Sequence, residues 1–432
     1  SVVAVSFKKI EERHQRIGIP FTAGGSTVEL LSLTGNKGAK LRATVTEFGP
    51  VLLSKIMDLS ESQQGVLALV FKYCDDQGLP LLDLKDLKKA LQFLTNEGKA
   101  EIEQEYGRIS TASTGTIMRK IIELEQQGAE PYFGEPSFEV EDLCRLDDQG
   151  RGMVNIIRLD DVQDKPKLFS TFMLQLLAEV YATFPEEGDA DQPKLVIFID
   201  EAHLVFENAS KPLLDQIEVM VKLIRSKGIG LFFVTQNPVD IPNDVLGQLG
   251  LKIQHALRAF TAKDRQAIKL AAQNFPDSAY YEVDTLLTSM GIGEALVTVL
   301  NEKGIPTPLV HTLLRAPQSR MDVLSDSEIS KILRDSALVK KYNKEIDRES
   351  AYEILGGKIE EAQSAEKQKT LKEQKEKARK TSDKSTIEKV LTSTTTRQIG
   401  NTIARELTRG LLGVLGIGGS TRKRTTRKSN WF

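Results

Sequence analysis

The chain has 432 residues, 40% hydrophobic and 27% charged, with 31 Gly and 15 Pro. This is ordinary globular composition, and it excludes a collagen-like, mucin-like or wholly disordered chain. Lys and Arg number 58 against 60 Asp and Glu, for a net charge of −2, so any contact with nucleic acid must come from a local basic feature.

Residues 1–59 join a charged opening, Lys8-Lys9-Ile10-Glu11-Glu12-Arg13, to short apolar runs such as Val28-Glu29-Leu30-Leu31. Gly24-Gly25 and Gly35-Asn36-Lys37-Gly38 punctuate them, which reads as strands and turns. Residues 60–145 read as helical. Ser60 and Gln63 form a capping box ahead of Val66, Leu67 and Val70. A second helix follows Asp83 with Leu84, Leu87, Leu91 and Leu94 on one face, and a third runs through Ile117, Ile121 and Leu124 to a stop at Gly128.

Over residues 146–318 strand and helix alternate. Strands are expected at Met153–Leu159, Leu195–Ile199, Leu231–Val234 and Ile253–Leu257, and helices at Leu168–Phe184, about 212–226 and around Val245–Leu249. Short apolar strands separated by helices predict an α/β fold with a parallel sheet covered on both faces. A closing pair of strands spans 293–300 and 307–315, and the core is expected to end near 318. Residues 319–397 read as a charged linker, helical or disordered, because 358–380 carries eight Lys/Arg and five Glu. Residues 398–432 hold a short amphipathic helix (Ile399, Ile403, Leu407, Leu411) and a basic tail with five Lys/Arg in Thr421–Lys428.

The two cysteines, Cys74 and Cys144, have no metal spacing and fit a reducing compartment. No apolar run is long enough to span a bilayer and no signal peptide opens the chain, so the expected localisation is cytoplasmic. The first residue is Ser rather than Met, which raises the expectation that a segment is missing upstream.

The strongest chemical signal is Leu195-Val-Ile-Phe-Ile-Asp200-Glu201-Ala202-His203. A buried strand ending in two acids brings both carboxylates to the carboxyl edge of a parallel sheet, where ligands of such folds bind. In a P-loop NTPase the first acid, Asp200, serves the Mg²⁺ site through water, and the second, Glu201, polarises the attacking water. The bland alternative is a core strand ending in a solvated acidic turn. The next strand, Leu231-Phe-Phe-Val-Thr235-Gln236, ends in an amide able to bridge a γ-phosphate and the lytic water, or else in an ordinary loop Gln before Pro238. Arg225 and Arg258 follow at a helix end and a strand end. Each is an arginine finger, a helix-terminal cation or a member of a surface salt bridge.

What phosphate binding needs is absent. No Gly-x-x-x-x-Gly-Lys-Ser/Thr occurs: Gly24-Gly25-Ser26-Thr27 lacks Lys, Gly35–Lys40 has the wrong spacing, and Gly416–Thr421 sits in the tail. His203 is read as local packing.

With these residues in hand, the sequence resembles the HerA-like branch of the HerA–FtsK P-loop ATPases, within it the YjgR-type bacterial group. The stretches that carry the resemblance are Arg42–Leu53, Asp83–Leu87, Phe133–Pro136, Asp200–His203, Leu223–Gly228, Val234–Pro238, Val245–Gly250, Gln254–Phe260, Gly293–Leu296 and Ile346–Tyr352. They span roughly residues 20–355. The resemblance implies a RecA-like P-loop NTPase sheet with a helical insertion, N-terminally incomplete because the family's opening strand and P-loop should precede residue 1. It implies a homo-oligomeric ring, a hexamer, that uses ATP and Mg to move DNA or polypeptide. Asp200 would be the Mg-site acid, Glu201 the catalytic carboxylate, Gln236 the sensor, and Arg225 or Arg258 the finger. The P-loop strand would lie between the strands ending at Gln236 and Arg258, so the chain alone is expected to be inactive. Two rivals stand beside this motor: a non-hydrolysing ring scaffold, and a DNA-binding accessory protein acting through the basic tail.

Overall fold

The computed structural model describes residues 8–159, 162, 165–188, 191–206 and 211–382. Its N-terminal stretch holds α1 (Lys8–Ile17), the parallel strands β1 (Val28–Ser32) and β2 (Ala39–Lys40), and α2 (Val45–Ile56). Two helices thus stand where strands and turns are expected. The hydroxyl of Thr44 accepts the Glu47 N–H, and the Glu47 carboxylate accepts the Thr44 N–H, which starts α2. Gly49 at φ 64 then leaves helical geometry, and Pro50 begins the next turn, where an N–H has no helical partner anyway. The Gly-Pro pair kinks the helix rather than ending it.

Four helices follow: α3 (Glu61–Asp76), α4 (Leu84–Thr95), α5 (Lys99–Glu105) and α6 (Thr111–Gln126). Gln63 accepts the Ser60 N–H, and Asp83 accepts from Lys85 and Asp86, as the sequence leads one to expect. Leu67, Tyr73, Leu87, Leu91, Leu94, Ile117 and Ile121 meet in the interior. After this helical body β3 (Val154–Arg158) returns to pair in parallel with β1, Val28 opposite Val154, for a strand order β2-β1-β3.

The chain continues through α7 (Pro166–Thr183), β4 (Leu195–Ile199), α8 (His203–Phe206), α9 (Lys211–Leu223) and β5 (Ile229–Phe233), with β4 and β5 parallel. Next come α10 (Asn243–Leu246), β6 (Lys252–Gln254), α11 (Ala262–Gln273), α12 (Val283–Ser289), β7 (Glu294–Thr298) and β8 (Val310–Leu313). The sheet β6-β7-β8 is antiparallel, so the α/β fold mixes parallel pairs with one antiparallel meander.

The core does not end near residue 318. After α13 (Asp326–Asp335), α14 (Ala337–Tyr342) and the start of α15 (Ala351–Ser382) bury Leu338, Tyr342, Ala351, Leu355 and Ile359 in the same cluster as Leu67 and Leu91. Buried Arg42 donates to the Tyr342 carbonyl at 2.9 Å and reaches Glu345, while Asp86 accepts the Tyr352 N–H at 2.8 Å. Burial pushes the Arg42 guanidinium down and the Asp86 carboxyl up. These apolar residues are too sparse to form a legible face, so partners 250 or more positions away decide their burial.

The chain divides into two units, Ser1–Glu361 and Ala362–Phe432. In the second, α15 continues to Ser382 with exposed side chains from Ala362 to Glu376, which is the helical form of the charged linker. The amphipathic helix around Ile399–Leu411 and the basic tail lie outside the described residues. Among the described residues no helix is long and apolar enough to cross a membrane.

The amino ends of β4 and β5 are fastened by the turn over Ile224–Lys227. Lys194 N–H donates to the Gly228 carbonyl, Glu187 N–H to Ser226, and the Lys227 ammonium to the Phe184 carbonyl at 2.7 Å while lying over the Tyr181 ring. Lys227 is 8% exposed. Replacing it as Lys227→Met should cost about 1–3 kcal/mol in chemical denaturation, the penalty of a covered carbonyl left without its donor. A loss below about 0.5 kcal/mol, typical of a neutral surface change, would show that this staple holds nothing.

Candidate functional site

The site grows out of the carboxyl ends of β4 and β5. Ile199 stands opposite Phe233 in the parallel register. Beyond it the Val234 N–H donates to the Ile199 carbonyl, and the Ala202 N–H to the Val234 carbonyl, both at 2.9 Å. Between these two bonds the chain must turn sharply, and Glu201 takes it at φ 48, in the left-handed region. An L-residue holds that conformation at a cost, so it persists only where its surroundings impose it.

The turn aims the Glu201 carboxylate at the neighbouring strand end. Gln236 Nε2 donates to Glu201 Oε1 at 2.8 Å. Oε2 lies 3.2 Å from His203 Nδ1 but is covered by protein and accepts no aligned hydrogen bond. His203 therefore faces Glu201 rather than packing apart from it. Asp200 is exposed and accepts the Glu201 N–H at 3.0 Å.

Gln236 is itself held from behind by groups that sequence reasoning passed over. Thr235 Oγ1 donates to Asp240 Oδ2 at 2.9 Å and accepts the Asn237 N–H, while the Asp240 N–H donates back to the Asn237 carbonyl. The legible signal was a Thr five residues before an Asp across Pro238, the spacing of a tight side-chain-locked turn.

Asp200, Glu201 and Gln236 are thus brought together, and the two arginines are not with them. Arg225 sits in the turn before β5, at the opposite end of a strand about 17 Å long at 3.3 Å per residue. Arg258 donates to the Thr288 carbonyl at 2.7 Å and the Met290 carbonyl at 2.9 Å, closing the end of α12. Cys74 offers no nucleophile: it is buried, and burial pushes its thiol up to about 12. A cleft of about 550 Å³ beside Gly24, Ser26, Arg315 and Gln318 includes none of these residues.

Among the described residues no group of three or more His, Cys, Asp or Glu could hold a metal ion. Asp200 offers one exposed carboxylate, an oxygen donor of the kind a magnesium ion takes.

The profile of a protein family described as Helicase HerA-like C-terminal matches residues 3–423. No curated protein sequence matches the chain. Among solved structures, the plasmid coupling protein TrwB in complex with ADP and Mg²⁺ is similar at 12% identity and TM-score 0.46, covering 69% of this chain and 81% of that one. VirB4 of Thermoanaerobacter pseudethanolicus is similar at 15% identity and TM-score 0.42, covering 72% and 80%. The genome packaging NTPase B204 from Sulfolobus turreted icosahedral virus 2, in complex with AMP, is similar at 15% identity and TM-score 0.26, covering 50% and 92%.

The left-handed turn makes a stability prediction independent of any activity. Glu201→Gly and Glu201→Ala both lose the carboxylate, but only Gly relieves the backbone. The Gly variant should be the more stable by about 1 kcal/mol in denaturant titration. Equal stabilities would show that residue 201 is not held at positive φ.

Proposed function

The chain belongs to the helicase HerA-like C-terminal family, and from that premise we propose that it carries the acid-and-sensor half of an ATP-hydrolysing motor. The observation that carries this reading is the 2.8 Å contact between Glu201 and Gln236 at the ends of two paired parallel strands, with exposed Asp200 alongside. In this reading Glu201 orients and deprotonates the attacking water, and Gln236 senses the terminal phosphate. Asp200 would hold magnesium, and the metal–nucleotide, when bound, would supply the electrophilic phosphorus.

The phosphates require a cradle of backbone amides and a lysine, and the 432 residues contain no such motif. The sheet edges support a place for one. Among the described residues β5 pairs with β4 alone and β6 with β7 alone. One face of the β4–β5 pair is also uncovered, with Phe198 66% exposed and stacked on Phe232 at 4.6 Å between ring centroids. Val154 and Ile156 on β3 are likewise exposed. A strand pairing between β5 and β6, followed by a helix over the apolar face, would cover both features and bring a phosphate loop to the same carboxyl edge. The cofactors proposed are ATP and Mg, the assembly a homo-oligomeric ring, six-membered by family resemblance, and the polymer DNA, which the helicase description of the family nominates. Arg225, in the turn before β5, and Arg258, beside α12, both stand as candidates for a finger acting on a neighbouring subunit.

A second reading, a ring scaffold that does not hydrolyse, is favoured by the absent Gly-x-x-x-x-Gly-Lys-Ser/Thr. Two measurements separate them. By itself the 432-residue chain should show no tight Mg-ATP binding in calorimetry, and tight binding would overturn the half-site reading. Once a phosphate-binding strand, loop and helix complete the sheet, Mg-dependent hydrolysis should appear. Glu201→Gln should then lower turnover about 100-fold or more while nucleotide still binds. A completed sheet that binds nucleotide without turnover favours the scaffold.

A further inference from the structure

The cleft of about 550 Å³ has two walls. Gly24, Gly25 and Ser26, on the approach to β1, form one, and Arg315, Gln318 and Ser319, on the way out of β8, form the other. The Gly24 N–H donates to the Gln318 carbonyl at 3.0 Å and ties the walls together. Two further carbonyls of this region are already taken. Arg13 of α1 donates to the Leu314 carbonyl at 3.0 Å, and Arg151 reaches the Gly25 carbonyl at 3.5 Å. What stays uncommitted is a donor. Arg315 is exposed, and its guanidinium has no acid and no carbonyl as partner among the described residues. It is also the one charged residue of the lining, which includes no carboxylate. The neighbouring arginines differ from it, since Arg151 is matched by Asp147 and Arg320 by Glu328.

We propose that this cleft binds a phosphate group, with Arg315 as the anchoring cation and Gln318 and Ser319 as side-chain donors. A guanidinium presents its N–H groups as a fork that fits two phosphate oxygens at once. The volume exceeds what a phosphate alone fills and suits the sugar and base attached to it. Two sources carry that chemistry, the backbone of a nucleic-acid strand and a free mononucleotide. The walls are formed before either arrives. Beyond the Gly24–Gln318 bond, α1 backs the second wall through Arg13 and through His14, whose Nε2 accepts the Ala316 N–H at 3.2 Å. Ordering the site therefore costs the ligand little. The inference does not draw on the ATPase reading, because the cleft shares no residue with Asp200, Glu201 or Gln236.

Arginine modification with phenylglyoxal, read residue by residue in the mass spectrometer, tests this on the 432-residue chain and separates the cleft from the basic tail. Arg108, its side chain 90% exposed on the helical body, is the internal reference. The probes are a short oligothymidylate, AMP and inorganic phosphate, with polyglutamate as an anion that carries no phosphate. Labelling of Arg315 should slow several-fold with a phosphate-bearing probe while labelling of Arg108 is unchanged. Protection by oligothymidylate at concentrations where AMP and inorganic phosphate do nothing identifies the strand as the source, and equal protection by AMP identifies the nucleotide. In the strand case Arg315→Ala should also flatten the plot of log affinity against log salt by about 0.7, the share of one phosphate contact on a single strand. An Arg315 that labels at one rate with every probe, or that polyglutamate protects as well as the phosphate-bearing probes do, overturns the proposal.

Discussion

The candidate site depends on the parallel ladder between β4 and β5. Side chains alternate between faces along a strand, so a slip of one residue would turn Glu201 and Gln236 to different sides. Two fastenings prevent the slip. At the amino ends the Lys227 staple ties the turn before β5 to the carbonyl that ends α7. At the carboxyl ends the crossed bonds of Val234 and Ala202 draw the chain into the left-handed turn at Glu201. With both ends pinned, the Glu201–Gln236 contact follows from register and needs no further adjustment.

That ladder sits on a body assembled from distant parts of the chain. β1 supplies the edge to which β3 returns after the whole helical segment. Residues 336–359 then bind across both. Buried Glu29 on β1 takes Arg145 through one oxygen and the hydroxyl of Ser336 through the other, while Tyr342 OH donates to Asp142 and Arg348 pairs with Glu135. A buried charge is tolerated only with partners of this kind. The segment from α13 to the start of α15 is therefore structural, tying the helical body to the strands that precede it.

The sheet edges are treated unequally. On β2 the Asn343 side chain accepts the Lys40 N–H and donates to the Gly38 carbonyl, standing in for a further strand. At the far end Arg13 of α1 satisfies the carbonyls of Gly293 and Leu314 around the β7–β8 hairpin, and His14 accepts the Ala316 N–H. Among the described residues β5 pairs with β4 alone and β6 with β7 alone.

Sequence by itself determined what is encoded locally. The capping box of Ser60 and Gln63, the cap at Asp83, the apolar run of β4 and the acids that end it are each read within a few residues, because helix starts and buried strands are set by near-neighbour chemistry. That Glu201 and Gln236 lie near one another could be anticipated since both strand ends share one type of sheet edge. Tertiary structure decided the rest. The kink that keeps α2 helical across Gly49-Pro50, the burial of Tyr342 and Leu355, the antiparallel turn of β7, the engagement of Arg258 with α12 and the lock of Thr235 on Asp240 all depend on groups a local pattern does not see. The left-handed backbone of Glu201 is the sharpest case. Nothing in a Glu asks for positive φ, and it arises because hydrogen bonds from a strand more than thirty residues away leave the chain no other path.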